Sequence, residues 1–230
     1  EAGVEMGRFF AEKGIKTAAI YGAFIPNPMH VYRVAGVLSG LGLSYDGATE
    51  EGEVVGKIFT DQSVDLSKIS GDIQIVSYLQ GYGDTTTDEI NAAIQAKPEA
   101  FISVGMATTF FTQQLNAAGI EFSDIDSFTQ SNGEAITNGK LVYLAGKYSS
   151  SVGPAFALVL NAINGNVIRD EQGNAVSLSQ NYQVATDEAT FDEFYKSDNG
   201  DNPIYNKETL DQIIGESVTF DEINELVTSK

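Results

Sequence analysis

The sequence predicts an α/β fold: a doubly wound, mostly parallel sheet followed by a C-terminal helical and hairpin extension. Through the first two thirds of the chain, short apolar segments alternate with segments of helical periodicity. Some of these segments, such as Ala100–Val104, are apolar almost throughout, which is typical of strands that are covered on both faces. Strands and helices that alternate at this spacing indicate crossover connections and therefore a parallel sheet.

The N-terminal elements follow this alternation. We predict a helix at Ala2–Lys13, because apolar residues recur every three or four positions and Gly14 stands at the usual capping position. A buried strand at Thr17–Tyr21 follows, and the next helix spans about Pro28–Leu41 with one apolar face. We interpret the segment Gly42–Leu66, which is rich in glycine and acidic residues, as an irregular excursion on the surface.

The same alternation continues to about residue 148. The predicted strands are Ile73–Leu79, Ala100–Val104, a segment around Ile125–Phe128, and Leu141–Ala145. The predicted helices are Asp88–Ala96, with the Asp84–Thr87 cluster as candidate N-caps, the turn and helix of Gly105–Gly119, and a helix or turn around Asn132–Asn138. We assign residues 1–148 to an α/β ligand-binding lobe.

Residues 149–230 form the predicted extension. The helix Val152–Ile163 is apolar on nearly every side and therefore needs partners on several sides. A hairpin is predicted at Val167–Leu178, and the acidic segment Gln180–Lys230 contains two short helices, near Thr190–Tyr195 and Lys207–Ile214.

Charge excludes some partners. With 13 basic and 32 acidic residues, the net charge of −19 repels phosphate backbones and anionic membrane surfaces, so we expect no nucleic-acid binding by this chain. No apolar run reaches the ~20 residues that a membrane-spanning helix needs. Any membrane association would then depend on a lipid anchor or leader outside this chain.

The sequence contains few residues that are suited to catalysis. There is no cysteine and one histidine, so a Cys-His pair is excluded and a Ser-His-Asp triad would have to use His30. No G-x-S-x-G motif is present, Gly81-Tyr82-Gly83 lacks the rest of a dinucleotide fingerprint, and the acidic clusters lack calcium-loop spacing. We therefore expect no enzyme activity, no cofactor and no metal site.

The residues best suited to hold a small molecule lie in loops that follow the predicted strands. Because the carboxyl ends of parallel strands meet at one edge, we expect these loops to form one surface. The candidate ligand-binding residues are Phe24, Asn27, His30, Tyr82, Gly105, Met106, Thr129, Gln130 and Lys147.

The order of several loose motifs resembles the second lobe of the type I periplasmic binding proteins, whose fold is shared with LacI-type effector domains. The motifs are Thr17-Ala-Ala-Ile-Tyr-Gly, Arg33-Val-Ala-Gly36, Ala100-Phe-Ile-Ser-Val-Gly-Met-Ala, Gln114-Leu-Asn-Ala-Ala-Gly119, Ile125–Ser131, Asn138-Gly-Lys-Leu, and Val152–Gly165. The resemblance covers about the first 165 to 180 residues and implies a flavodoxin-like strand order. It also implies that Arg33 anchors its helix and that Gly36 permits close packing.

The resemblance implies a solute-binding protein of a bacterial ABC importer, or its C-terminal lobe, which binds a small polar solute such as a sugar without catalysis. The implied partners are the solute and a transporter permease, and the implied location is the periplasm or the cell surface as a lipoprotein. We expect the first lobe to precede Glu1, which leaves the helix Val152–Ile163 to pack on the acidic tail, on a second copy in a homodimer, or on the missing half.

This chain departs from the family at positions where sugar binders often carry polar ligand contacts. It has Val31, Gly105, Thr129 and Gly146 there, so the edge is poorer in hydrogen-bonding side chains. Two other functions remain open: a sensor or effector domain of a LacI-type regulator or extracytoplasmic receptor, and an enzyme on a flavodoxin-like or Rossmann-like sheet.

Overall fold

The computed structural model describes residues 2–25, 27–82 and 87–229. The candidate N-caps at Asp84–Thr86 lie outside the described residues. The helices are α1 (Ala2–Glu12), α2 (Pro28–Gly40), α3 (Glu51–Asp61), α4 (Thr87–Gln95), α5 (Ala107–Ala118), α6 (Gln130–Thr137), α7 (Gly153–Ile163), α8 (Glu188–Asn199), α9 (Lys207–Asp211) and α10 (Phe220–Thr228). The strands are β1 (Thr17–Tyr21), β2 (Ser44–Tyr45), β3 (Ile69–Ser70), β4 (Gln74–Leu79), β5 (Ala100–Ser103), β6 (Glu121–Ile125), β7 (Leu141–Gly146) and β8 (Gln183–Ala185).

The main sheet has six strands in the order β4-β1-β5-β6-β7-β8. The pairs β1–β4, β1–β5, β5–β6 and β6–β7 are parallel, while β2 and β3 form a separate antiparallel ribbon. When the sheet's first five strands are counted along the chain, their order is 2-1-3-4-5, the flavodoxin-like doubly wound order. The predicted fold class is confirmed.

The chain divides into two compact units. The first comprises Glu1–Asp126, Gln130–Ala145 and Val184–Glu188, and the second comprises Ser127–Thr129, Gly146–Gln183 and Ala189–Lys230. The core of the first unit is built from β1, which is buried from Ala18 to Tyr21, and from the fully buried apolar faces of α1 and α2.

Helices α1 and α2 pack with their backbones in contact. A Cβ on Gly7 would lie 3.0 Å from the Cα of Gly40, and one on Gly36 would lie 3.1 Å from the Cα of Gly3. Both distances are too short for an ordinary side chain, so the glycines allow this close approach. The implied role of Gly36 in close packing is confirmed.

The first unit differs from the sequence prediction in several elements. The β2–β3 ribbon and strand β8 were not predicted. Helix α3 occupies the segment that was predicted to be irregular, because Val54, Val55 and Ile58 form an apolar face that is buried. Strand β6 ends at Ile125 rather than beginning there, because Ser123 and Asp124 are fully buried polar residues within the strand.

In the second unit, α7 packs on the C-terminal segment along one face. Ala157 joins Ile213, Ile223 and Val227 in a buried apolar cluster, and the Asn161 side chain bonds Ile213 and Gly215 through their main chains. The other face remains largely exposed at Val152, Phe156, Val159 and Ile163.

In the rest of the second unit, the C-terminal helix was not predicted and the predicted hairpin is minimal. Helix α10 begins at a capping box formed by Thr219 and Glu222. The predicted hairpin at Val167–Leu178 is reduced to a single antiparallel bridge between Arg169 and Ala175. Among the described residues, no helix has the length and apolar character needed to cross a membrane.

Candidate ligand-binding site

The loops that follow β1 and β4 are joined by hydrogen bonds. The Tyr21 hydroxyl donates to the carbonyl of Gly81 over 2.7 Å, and the Gly81 N–H donates to the carbonyl of Ala23 over 2.6 Å. Ala23 has a φ of 51°, a left-handed conformation that costs a residue with a side chain about 1 to 2 kcal/mol. At Gly22, a Cβ would collide with the Tyr78 hydroxyl. These contacts join residues 21–23 to residue 81, so the described starts of the two loops lie side by side.

Three aromatic rings stand on this surface, and we call Phe24, Tyr82 and Phe110 the aromatic platform. The Phe24 and Tyr82 rings are stacked, with 5.9 Å between centroids and an interplanar angle of 24°, and the Tyr82 and Phe110 centroids are 6.1 Å apart. Phe24 and Tyr82 are 46% and 40% exposed. Phe110 also contacts Phe111, which meets buried Tyr21 edge-on, so the platform is anchored in the core.

Asn27 and His30 support the loop that carries Phe24. The Asn27 side chain caps α2 by accepting a hydrogen bond of 3.0 Å from the N–H of Met29. The His30 side chain is buried, and its Nδ1 accepts a hydrogen bond of 3.0 Å from the N–H of Phe24. The same Nδ1 lies 3.1 Å from the carbonyl oxygen of Phe24, so the ring accepts from the N–H in one neutral tautomer and donates to the carbonyl in the other.

Burial lowers the pKa of His30, and the positive charge of Arg33 lowers it further, although a hydrogen bond with the Phe24 main chain acts in the opposite direction. His30 is therefore neutral at pH 7 and behaves as a fixed hydrogen-bonding group. The triad that sequence reasoning left conceivable would need a serine and a carboxylate at this ring, whereas its Nδ1 is bonded to the Phe24 main chain.

The loop after β5 carries Gly105 and Met106. Met106 has a φ of 68°, a left-handed conformation, and precedes α5 with its side chain partly exposed. The Arg33 guanidinium donates from Nη1 to the carbonyl of Val104 over 2.8 Å, which ties α2 to this loop. The implied anchoring role of Arg33 is confirmed. A Cβ on Gly105 would lie 3.5 Å from that Nη1.

Asp124 lies beneath this loop, and sequence reasoning did not identify it. Its carboxylate accepts hydrogen bonds from the N–H of Thr108 over 2.8 Å, from the Ser103 hydroxyl over 3.1 Å, and from the N–H of Ile125 over 2.9 Å. Thr108 is in the first turn of α5, so a protein carboxylate already occupies the positive end of that helix.

Burial raises the pKa of Asp124 to about 6; the nearby Asp126 carboxylate also raises it, and the hydrogen bonds from Thr108 act in the opposite direction. A carboxylate one residue before the end of a buried strand was the sequence signal for this residue. That signal was missed because the strand was placed four residues too far along the chain.

The candidate residues divide between the two units. The first unit holds Phe24, Asn27, His30, Tyr82, Gly105, Met106 and Gln130, and the second holds Thr129 and Lys147. Gln130 begins α6 and donates to Glu134 over 3.0 Å. The Lys147 ammonium lies 5.1 Å from the centroid of the Tyr182 ring, which is cation–π geometry.

In the part of the chain that the structure describes, no group of three or more His, Cys, Asp or Glu residues is arranged to hold a metal ion.

A doubly wound sheet with these loops at its carboxyl edge is a periplasmic-binding-protein-like fold. A similar solved structure is the periplasmic binding protein component of the arabinose ABC transporter from Shewanella sp. ANA-3, bound to alpha and beta-L-arabinofuranose. It has a TM-score of 0.53 and 14% sequence identity, and the match covers 85% of this chain.

The chain spans 59% of the length of that protein. At this level of identity the likeness concerns the fold. No protein-family model matches the sequence. No curated protein matches it either.

Proposed function

We propose that this chain is the ligand-binding lobe of a solute-binding protein of an ABC importer. It binds a small solute at the carboxyl edge of the sheet and does no chemistry on it. The observation that carries the proposal is the joining of three strand-end loops. The Tyr21 hydroxyl ties the β1 and β4 loops together, and Arg33 ties α2 to the β5 loop. The aromatic platform takes one ring from each of the β1 and β4 loops and a third, Phe110, from α5, the helix that follows the β5 loop.

The proposed contact residues are those that expose a side chain at this edge. Phe24, Tyr82 and Met106 supply apolar surface. Asn27 and His30 hold the Phe24 loop in place, and Gly105 leaves room beside Arg33. Gln130 belongs to the same proposal as a polar contact of the first unit, whereas Thr129 and Lys147 belong to the second unit and stay a prediction from the sequence.

The transport role rests on the fold and on the neighbour's function as the binding component of an arabinose ABC transporter. Under this proposal the chain works outside the cytoplasm. Its macromolecular partner is a transporter permease, and a lipid anchor or leader connects it to the membrane. A second copy of the chain is a further partner under this proposal. Binding without catalysis requires no cofactor, and the neighbour's printed role is also that of a binder.

A thermal-shift screen of the 230-residue chain tests this function directly. Sugars, nucleosides and amino acids are added at millimolar concentration, since a single lobe contributes only part of a binding cleft. At least one solute should raise the midpoint of unfolding in a concentration-dependent way, because ligand that binds only the native state stabilises it. If no solute in the three classes shifts the midpoint, the proposal is wrong.

A further inference from the structure

We infer that the solute carries a flat aromatic or heteroaromatic ring without an anionic group, and that this ring stacks on the platform formed by Phe24, Tyr82 and Phe110. The inference rests on the proposed function and narrows its ligand class. A polyhydroxylated sugar, which the family resemblance implies, can also lie on an aromatic ring through its C–H face, but it needs many hydrogen-bonding side chains around that ring as well.

The first reason is the geometry of the rings. Phe24 and Tyr82 lie nearly parallel, at 24° and 5.9 Å between centroids. That separation leaves no room for a third ring between them, so a ligand would stack on an outer face. Both side chains are more than a third exposed, and Tyr82 also packs on Phe110, which contacts Phe111. An exposed aromatic face that already packs on other rings binds another flat ring with less loss of conformational entropy than a side chain without such contacts.

The second reason is that Asn27 and His30, two of the polar side chains predicted for this edge, and the neighbouring Arg33 are bonded to the main chain of the protein. Asn27 accepts from Met29, His30 Nδ1 accepts from Phe24, and Arg33 donates to Val104. Sugar recognition depends on many hydrogen bonds, because each buried hydroxyl left unpaired costs about 1 to 3 kcal/mol. These three side chains already form hydrogen bonds with the protein main chain, whereas the aromatic rings of Phe24 and Tyr82 remain partly exposed.

The third reason is charge. Two of the helices that begin at this edge, α2 and α5, present N-terminal N–H groups that would suit an anion, but Asn27 binds the N–H of Met29 in α2, and Asp124 binds that of Thr108 in α5. Asp124 lies beneath the β5 loop with its carboxylate buried, and the whole chain carries a net charge of −19. A phosphorylated or carboxylated ring is therefore disfavoured relative to an uncharged one.

Binding of matched probes to the full chain tests the inference. The flat-ring probes are adenosine and uridine, the anionic counterpart is adenosine monophosphate, and the sugars are D-ribose and L-arabinose. D-ribose controls for the sugar part of the nucleosides. Affinities are measured by isothermal titration calorimetry, and saturation-transfer-difference NMR identifies which probe protons lie against the protein.

We expect at least one nucleoside to bind more tightly than either sugar and adenosine to bind more tightly than its monophosphate, with the strongest saturation transfer at base protons. Phe24→Ala and Tyr82→Ala should each weaken nucleoside binding about tenfold, since removal of one stacked ring costs on the order of 1.4 kcal/mol. Tyr82→Phe retains the ring and should recover most of the affinity that Tyr82→Ala loses. Phe156→Ala, at an exposed phenylalanine of the second unit, should change nothing.

Sugar binding without nucleoside binding would overturn the inference and leave the proposed function standing. Nucleoside affinity that is unchanged in both Phe24→Ala and Tyr82→Ala, with circular dichroism showing that the variants are folded, would also overturn it. If neither class binds, the inference is wrong, and the thermal-shift screen then decides whether the proposed function fails with it.

Discussion

The backbone N–H of Phe24 donates a hydrogen bond of 3.0 Å to Nδ1 of His30. An exposed ring at the edge of the sheet is thus held by a histidine that is only 5% exposed. Because the histidine belongs to α2 and the ring to the preceding loop, this bond couples the position of the helix to the surface that we propose binds the solute.

His30→Ala should lower the free energy of unfolding by about 2 kcal/mol, because it leaves the Phe24 N–H without its acceptor and removes a buried ring. The measurement is urea denaturation followed by circular dichroism. His30→Asn is the matched variant, since its Oδ1 can accept the same hydrogen bond, and it should recover part of the loss. Equal stability of His30→Ala and the wild type would show that the bond does not hold the loop.

Asp124 should make stability fall as the pH rises from about 4 to about 6. Its pKa in the folded chain, about 6, is above the ordinary value of 3.8, so the native state binds more protons than the unfolded state across this window. Ionisation of the buried carboxylate then costs roughly 3 kcal/mol, at 1.36 kcal/mol per pKa unit.

The matched variant for this prediction is Asp124→Asn, which cannot ionise. Unfolding free energies of the wild type and the variant are measured at several pH values between 4 and 7, and the difference between the two proteins isolates Asp124 from the other titrating groups, including His30. As the pH rises, the unfolding free energy of the variant should increase relative to that of the wild type. A difference that is independent of pH would contradict the raised pKa.

Gly7→Ala should destabilise the first unit by about 2 kcal/mol or more, because its Cβ would press on α2 at the Cα of Gly40. Gly56→Ala in α3 is the control: no atom lies within 4 Å of a Cβ at this position, so the higher helix propensity of alanine should stabilise the chain by about 0.5 to 1 kcal/mol. Thermal or urea unfolding measures both effects. Changes of the same sign in the two variants would show that the α1–α2 contact is not as tight as described.

The sequence predicted the parts of the fold that depend on local patterns. β1 was predicted at its observed bounds because its apolar run is flanked by Lys16 and Gly22. α3 was missed because Gly52, Gly56 and the acidic residues around them obscured its apolar face. β6 was misplaced because Ser123 and Asp124 are buried against Ser103 and Thr108, partners that lie about 20 residues away in the sequence.

For the candidate site, the sequence predicted which loops form the edge of the sheet, but it did not predict the structural roles of the residues in them. Parallel strands bring Phe24, Tyr82 and Met106 to one edge, and this follows from the strand order alone. His30 supports Phe24 and Asp124 occupies the N-terminus of α5 through hydrogen bonds. A pattern of apolar and polar residues along the chain does not indicate which side chains form such bonds.

The central claim is that a solute binds at the carboxyl edge of the sheet, and amide chemical-shift mapping tests it most directly. The isotope-labelled chain is titrated with the solute that gives the largest thermal shift. We expect the largest changes at the amides of Phe24, Tyr82 and Met106. Changes confined to another cleft, such as the cavity of about 570 Å³ lined by Lys57, Asp61 and Lys68, would contradict the account.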